Sequence, residues 1–357
     1  MNKKMRAGKW FLTVGVMSLM MIVLFVAITC IVDPFFQYRV KDHSYMLNGM
    51  YVCGGLIKNY EYDTLIVGSS MTQNFDMDLF RSELGAKPLH IGLGGMSWRE
   101  TEELLDAADR AGKASDYYVC IDLAGFVDDA KSTLPDYLLE DTLLAKLRYS
   151  LSYESWFRFM PADLGISLLK ASGHELPEKY AYSVSIDRLE DWSLDYSFGE
   201  DIVLENYQSG AYRVSAVETQ DLLERMIRHI DLFAGELDME GVSYHFFFPP
   251  YSSLYWCDAQ LQGYYGIYQE AKRYFVEKMT NLGCTVYDFQ TAELTMDLNH
   301  YKDTTHYAPE VNDWMVRCFA SGENEVTLDN FSFYEHKLKE NTDQFKRKYS
   351  DLFAVGN

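Results

Sequence analysis

The sequence predicts an α/β fold: a five-stranded parallel sheet covered by helices on both faces, preceded by one membrane-spanning helix. Three observations carry this. Five short apolar or β-rich runs alternate with helix-like stretches, the pattern of strands joined by crossover helices. An apolar content of 48% over 357 residues is ample for such a core. Trp10 to Val32 contains no charge over 23 residues, long enough to cross the hydrocarbon layer as a helix.

Taken from the N-terminus, residues 1–9 carry Lys3, Lys4, Arg6 and Lys9 and no acid. The positive-inside rule therefore makes them a cytoplasmic tail, with 10–32 as the span and everything after Asp33 extracytoplasmic. A cleaved signal peptide would have a shorter apolar region, roughly 7–15 residues, and "AIT" before Cys30 is a poor lipoprotein cleavage site. Residues 33–60 read as an irregular neck. The main domain, 61–322, holds the five runs: Thr64 to Val67, Pro88 to Ile91, Tyr117 to Leu123, Val242 to Phe248 and Cys284 to Phe289. "SWRETEELLDAADRAGK" follows the second, "AVETQDLLERMIRHIDLFAGELDMEG" precedes the fourth, and "DAQLQGYYGIYQEAKRYFVEKMTNLG" separates the fourth from the fifth.

Between the third and fourth runs, residues 128–215 are too long for a plain connection and read as an inserted helical or loop-rich body, a cap or partner surface. Its tyrosines and tryptophans read as packing, with stacking on sugar rings as the alternative. Residues 323–357 form a C-terminal extension whose "NFSFYEHKLKENTDQFKRKYSDLF" reads as a charged amphipathic helix, an outer solvated layer.

Beyond the anchor, 28 Lys and Arg face 53 Asp and Glu, a net charge of −25. Such a surface repels polyanions and excludes nucleic acid as a partner. Five cysteines follow the span, Cys53, Cys120, Cys257, Cys284 and Cys318, in an odd number and without repeated spacing, so they are no disulfide framework. Cys120 and Cys284 lie in apolar runs and read as small core residues. "FFFPPYSSLYW", after the fourth run, reads as a rigid loop on the rim of a site.

Two segments at opposite ends carry chemistry. "TLIVGSSMTQNF", 64–75, is an apolar strand that stops at Gly68-Ser69-Ser70, at the carboxyl edge of the sheet where open α/β folds place their sites. A serine there meets backbone N–H groups at the start of a helix, suited to an oxyanion, although either serine alone reads as well as a cap. "DLNHYKDTTHYAPEVNDWMV", 297–316, sets Asp303 and His306 three apart in a polar turn. There a carboxylate can hold an imidazole whose other nitrogen takes a proton from a serine. Asp297, His300, Asp303 and His306 match no established metal spacing, so no metal is expected, and no cofactor motif occurs. No G-x-S-x-G elbow, Walker loop or H-E-x-x-H is present either.

Serine first and Asp-x-x-His near the end, on five alternating strands, resembles the SGNH (GDSL-like) hydrolase and acyltransferase superfamily, a three-layer flavodoxin-like fold. "IVGSS" looks like its first block, with Ser70 in the nucleophile's place, and "YKDTTH" resembles the block carrying Asp303 and His306. "HIGLGGMS", 90–97, resembles the second block, with His90 replacing the usual asparagine. The match implies that Gly95 joins the N–H of Ser70 in an oxyanion hole. The third block's Gly-x-Asn-Asp is missing from "VCIDLAGFVDD", where Phe126 matches the asparagine. Asn74, one turn beyond Ser70, is the substitute oxyanion donor this reading selects.

The single span, "DPFFQY", "YDTLIVGSSMTQNF" and "YKDTTHY" look most like the membrane-anchored extracytoplasmic branch. That branch includes the D-alanyl transfer protein of teichoic-acid D-alanylation and relatives of the alginate O-acetylation proteins. The resemblance implies serine acyl transfer to, or ester cleavage from, a cell-envelope or secreted polysaccharide. A multispanning membrane-bound O-acyltransferase is the partner it implies. The alternative is an inactive SGNH-like scaffold that binds glycan or that partner.

Overall fold

A computed structural model describes residues 3–41, 48–129, 131–174, 196–210 and 219–353. The chain forms two compact units, Met1–Tyr60 with Leu134–Ile186, and Glu61–Thr133 with Asp187–Asn357.

The second unit is the α/β body. Its strands are β1 (Thr64–Gly68), β2 (Pro88–Gly92), β3 (Asp116–Cys120), β4 (Ser243–Phe248) and β5 (Thr285–Asp288). They pair in the order β2-β1-β3-β4-β5, every pair parallel. This is a doubly wound order, and the connections leaving β1 and β3 diverge at a topological switch point, where such sheets bind their ligands. Burial on both faces explains the near-continuous apolar strands. On one face Phe247 meets Phe75 and Phe319 edge-on, and on the other Phe246 meets Phe233 and Phe275 edge-on. Each such pair contributes about 0.5–1.5 kcal/mol beyond area burial. The helices Met77–Leu84 and Pro309–Ser321 pack together as one outer layer. Trp98–Ala111, Leu222–Gly235 and Tyr265–Asn281 make the other.

The third run stops being a strand earlier than its apolar character predicts. The Asp122 carboxylate accepts the Ala124 N–H at 3.0 Å and bends the chain into a 3-10 turn, Leu123–Phe126. The C-terminal helix Phe331–Lys348 is only partly a solvated layer, because Phe331, Leu338 and Phe345 are buried and it packs on the helix Ser253–Gln262. All six thiols are free, and burial pushes the Cys284 thiol up to about 11.

The first unit begins with one continuous helix, Lys3–Val32, whose Gly8–Val32 portion is long and apolar enough to cross a membrane. Its last carbonyls are capped from beyond the helix: Arg39 donates to the Cys30 and Ile31 oxygens and Lys41 to the Val32 oxygen. Cations at this end also meet the negative pole of the helix dipole. The chain then turns at Asp33 and Phe36, both left-handed at φ 45° and 57°. The buried Asp33 carboxylate secures the turn by accepting the N–H groups of Gln37, Tyr38 and Arg39 and the Tyr149 hydroxyl. Helices Leu143–Leu151 and Met160–Ala171, joined by the π-helical Glu154–Phe159, pack against the N-terminal helix or its neighbours.

The excursion read as one insertion over 128–215 is divided between the units. Its part from Leu134 lies in the first. The helix Glu200–Gln208 lies in the second, where the Gly199 N–H donates to the Tyr301 oxygen at 2.9 Å. Of the aromatic positions in "GHELPEKYAYSVSIDRLEDWSLDYSFGE", those in 175–195 fall outside the described residues.

Candidate active site

Ser70 opens a single 3-10 turn, Ser70–Thr72, directly after β1. The turn begins so close to the strand because Gly68 has no side chain. A Cβ there would stand 2.4 Å from Thr72 Cγ2 and 2.5 Å from Cys120 Cβ, so no larger residue fits without moving one of them. Ser69 takes the capping role that the sequence left open between the two serines, its hydroxyl accepting from Met71 N–H at 3.5 Å. Ser70 itself is partly exposed.

The base loop is a closed turn. The Lys302 N–H donates to the His306 oxygen at 3.0 Å and the Ala308 N–H to the His300 oxygen at 2.8 Å. Inside it, Asp303 Oδ1 accepts the N–H groups of Thr305 and His306 at 2.9 and 2.8 Å, while Oδ2 lies 2.7 Å from His306 Nδ1. The other ring nitrogen, Nε2, lies 2.9 Å from Ser70 Oγ. Hydroxyl, imidazole and carboxylate, 236 positions apart at the extremes, therefore form one hydrogen-bonded line. Burial pushes the Asp303 carboxyl up, but the His306 side chain and the two loop N–H groups outweigh it and hold the pKa below 3.8. An ionised Asp303 accepts Nδ1–H, which leaves the Nε2 lone pair to take the Ser70 proton.

Serine turn and base loop are clamped to each other independently of that line. The Tyr307 hydroxyl and Asn312 Nδ2 both donate to the Met71 oxygen, at 2.9 and 3.2 Å. Asn74 Nδ2 donates to the Tyr307 oxygen at 3.3 Å. Asn74, selected from the sequence as an oxyanion donor, thus spends one amide N–H on tying the two loops together. The segment after β4 also differs from a rim. Ser252 holds the Thr304 oxygen through both its N–H and its hydroxyl, and Pro250 accepts the Tyr301 hydroxyl, so this segment is a buried support beneath the base loop.

Gly95 stands in the turn after β2 at φ +68°, which a glycine adopts without strain. That turn is fastened to the serine strand, because Leu93 N–H donates to the Gly68 oxygen at 3.0 Å and Met96 N–H closes on Leu93. The N–H groups of Ser70 and Gly95 donate to no acceptor among the described residues. His90 lies on β2, fully buried, with Nε2 2.9 Å from Thr72 Oγ1. Since that hydroxyl donates to the Ser69 oxygen, His90 Nε2 is the donor and props the serine turn from beneath.

Phe126, at the place matched to an oxyanion asparagine, points into the core, its ring near Trp98, Phe233 and Phe275, and its carbonyl accepts from His229 Nδ1 at 2.7 Å. Sequence reasoning missed Asp122, which follows the end of β3, the strand paired with β1. Burial pushes its carboxyl up, against hydrogen bonds from the Tyr251 hydroxyl and Ala124 N–H and attraction to His306. With Ser69, Met96 and Trp98 it lines a cavity of ≈ 10 Å³, about one water. Its signal was an acid standing directly after an apolar strand, at the carboxyl edge.

Asp297 and His300 are placed apart from this chemistry, paired with each other at 3.9 Å, and His300 lies 3.3 Å from Glu310. Among the described residues no three His, Cys, Asp or Glu side chains converge as a metal site. No known family model matches the chain, and no curated protein matches it in sequence.

Proposed function

We propose that the chain is a serine acyltransferase or esterase, anchored by its N-terminal helix with the α/β unit outside the cell membrane, that acts on an envelope or secreted polysaccharide. The observation that carries the chemistry is the line from Ser70 Oγ through His306 to Asp303, at 2.9 and 2.7 Å. In this reading Ser70 attacks an ester or thioester carbonyl and its proton passes to His306 Nε2, while Asp303 stabilises the imidazolium. The N–H groups of Ser70 and Gly95 receive the negative oxygen, and His306 returns the proton to the leaving group. A sugar hydroxyl, or water, then attacks the acyl-serine and regenerates the enzyme.

The polysaccharide acceptor, a multispanning O-acyltransferase as donor, and SGNH membership rest on the sequence resemblance. The outward orientation rests on the basic residues before the span. A net charge of −25 beyond the anchor favours a weakly charged acceptor over a strongly anionic one.

The scaffold reading has one observation behind it, the core-facing Phe126, which leaves the oxyanion hole one side-chain donor short. A fluorophosphonate probe applied to the full chain separates the two readings. Covalent labelling of the wild type and none of Ser70→Ala is the expected result; a folded wild type that stays unlabelled would overturn the enzyme reading.

A further inference from the structure

The first unit leaves a large apolar face outward. On helix Leu143–Leu151, Leu143, Leu147 and Leu151 recur every fourth residue with Leu144 beside them, and Leu143 is 86% exposed. Tyr153 and Phe157 follow, stacked on each other at 5.3 Å, with Phe157 72% exposed. On helix Met160–Ala171, Leu164, Leu168 and Leu169 are outward as well. Apolar exposure repeated along two helices and the turn between them marks an interaction site, since water tolerates scattered apolar residues but not large patches.

Its position relative to the N-terminal helix selects the occupant. The Trp156 ring, between Tyr153 and Phe157, lies 4.1 Å from the ring of Phe25, and Thr29 Oγ1 donates to the Ser150 oxygen at 3.2 Å. Phe25 is seven residues inside the end of the apolar stretch at Val32, which at 1.5 Å per residue is about 10 Å of depth. Interfacial helices bury their apolar faces about 5–10 Å into the headgroup and acyl boundary. Trp156 meets the requirement of that zone, its Nε1–H donating to the Ser150 oxygen at 2.7 Å so that no polar atom is stranded. Charge agrees: 134–174 holds four Lys and Arg against five Asp and Glu, close to neutral in a chain that is otherwise strongly acidic.

We propose that the face formed by helices Leu143–Leu151 and Met160–Ala171 and the aromatic turn between them is a membrane-interface platform, seated in the lipid leaflet that surrounds the end of the N-terminal helix. The platform adds a broad interfacial base to the spanning helix. It rests on reading the N-terminal helix as a span, and not on the acyl-transfer chemistry.

The test uses the full chain reconstituted in phosphatidylcholine and phosphatidylglycerol vesicles, with a polarity-sensitive fluorophore on single introduced cysteines. Native thiols other than Cys30 are buried, and unsubstituted chain gives the background. Leu144→Cys, Phe157→Cys and Leu168→Cys should emit at shorter wavelength than Phe333→Cys, an exposed position of the other unit, and should lose fluorescence when spin-labelled lipid is included. Water-like emission at the three sites overturns the platform, and so does blue-shifted emission that lipid quencher leaves intact, which means a protein covers the face. Leu19→Cys, inside the apolar helix, reports the span itself: quenched there but not at the three sites, the platform alone fails.

Discussion

The two compact units treat apolar side chains in opposite ways. The sheet unit hides them: three consecutive phenylalanines, Phe246, Phe247 and Phe248, are wholly buried, and its exposed large hydrophobics, such as Leu261 and Phe333, are scattered. The anchor unit has a buried cluster, Phe35, Leu138, Tyr149 and Phe159 with three tyrosines against it, yet turns whole helix faces of leucine outward. An amphipathic period shows that a helix has an apolar face; it does not show which medium the face meets. "YLLEDTLLAKLRYSLSYESWFRFM" has the period of a core helix, and the contact of Trp156 with Phe25 inside the apolar helix turns the reading toward lipid.

The largest expected effect tests whether chemistry belongs to the sheet unit alone. His306→Ala should cut hydrolysis of an activated model ester by on the order of 10⁴–10⁶-fold, since triad members act as a unit. Leu144→Glu in the anchor unit should leave that rate unchanged while weakening vesicle contact. A comparable loss in both variants would break the division of labour between the units.

Gly68→Ala ranks next. The new methyl must displace Thr72 or the wall at Cys120, and overpacking of this kind costs about 1–3 kcal/mol. The serine turn moves with Thr72, and misplacement near 1 Å costs about 100-fold in rate. Thermal melts beside fluorophosphonate labelling rates check both terms. Unchanged labelling would mean that Ser70 does not depend on the tight exit from β1.

Tyr307→Phe removes one of two donors to the Met71 oxygen, and Asn312 keeps the other. About 1 kcal/mol of stability should go, with roughly a tenfold slower kcat and little change in KM, because the variant loosens the alignment of Ser70 with His306 and removes no group that touches substrate. A change confined to KM would put Tyr307 in contact with substrate instead.

How far these groups were legible follows from the range of the signal. β1 and the Asp303 turn are local: an apolar run ending at Gly68-Ser69-Ser70, and two side chains one turn apart. Both could be read from a dozen residues each, and the parallel sheet covered on both faces followed from alternation. The clamp from Tyr307 and Asn312 to Met71 joins positions more than 230 apart through a backbone oxygen, which leaves no trace in residue type. Asn74 was legible as a polar residue near Ser70, but its bond to the Tyr307 oxygen, 233 positions away, was not. Asp122 left no signal of its own beyond an acid after an apolar run, because its partners, the Tyr251 hydroxyl and His306, lie more than 120 positions away.

A contrast in stability rather than rate concerns how each unit buries a carboxylate. Asp33 and Glu100 both collect several donors, yet burial prevails at Asp33 and lifts its pKa. At Glu100 the opposing effect of burial is outweighed by the N–H and hydroxyl groups of Ser97 and Thr133, which hold its pKa below 4.5. A lowered carboxyl binds fewer protons folded than unfolded, so its stabilisation is full above pH 4.5 and disappears as pH falls through the folded value. Glu100→Gln should therefore lower stability by about 1.5–3 kcal/mol near pH 7, the cost of charge-assisted bonds, with the gap to wild type closing below pH 4.5. Melting the two proteins side by side from pH 7 to pH 3 reads the gap directly. A difference that stays constant across the range would mean that the four donors hold the neutral acid as well as the carboxylate, and that the contrast with Asp33 lies in packing rather than charge.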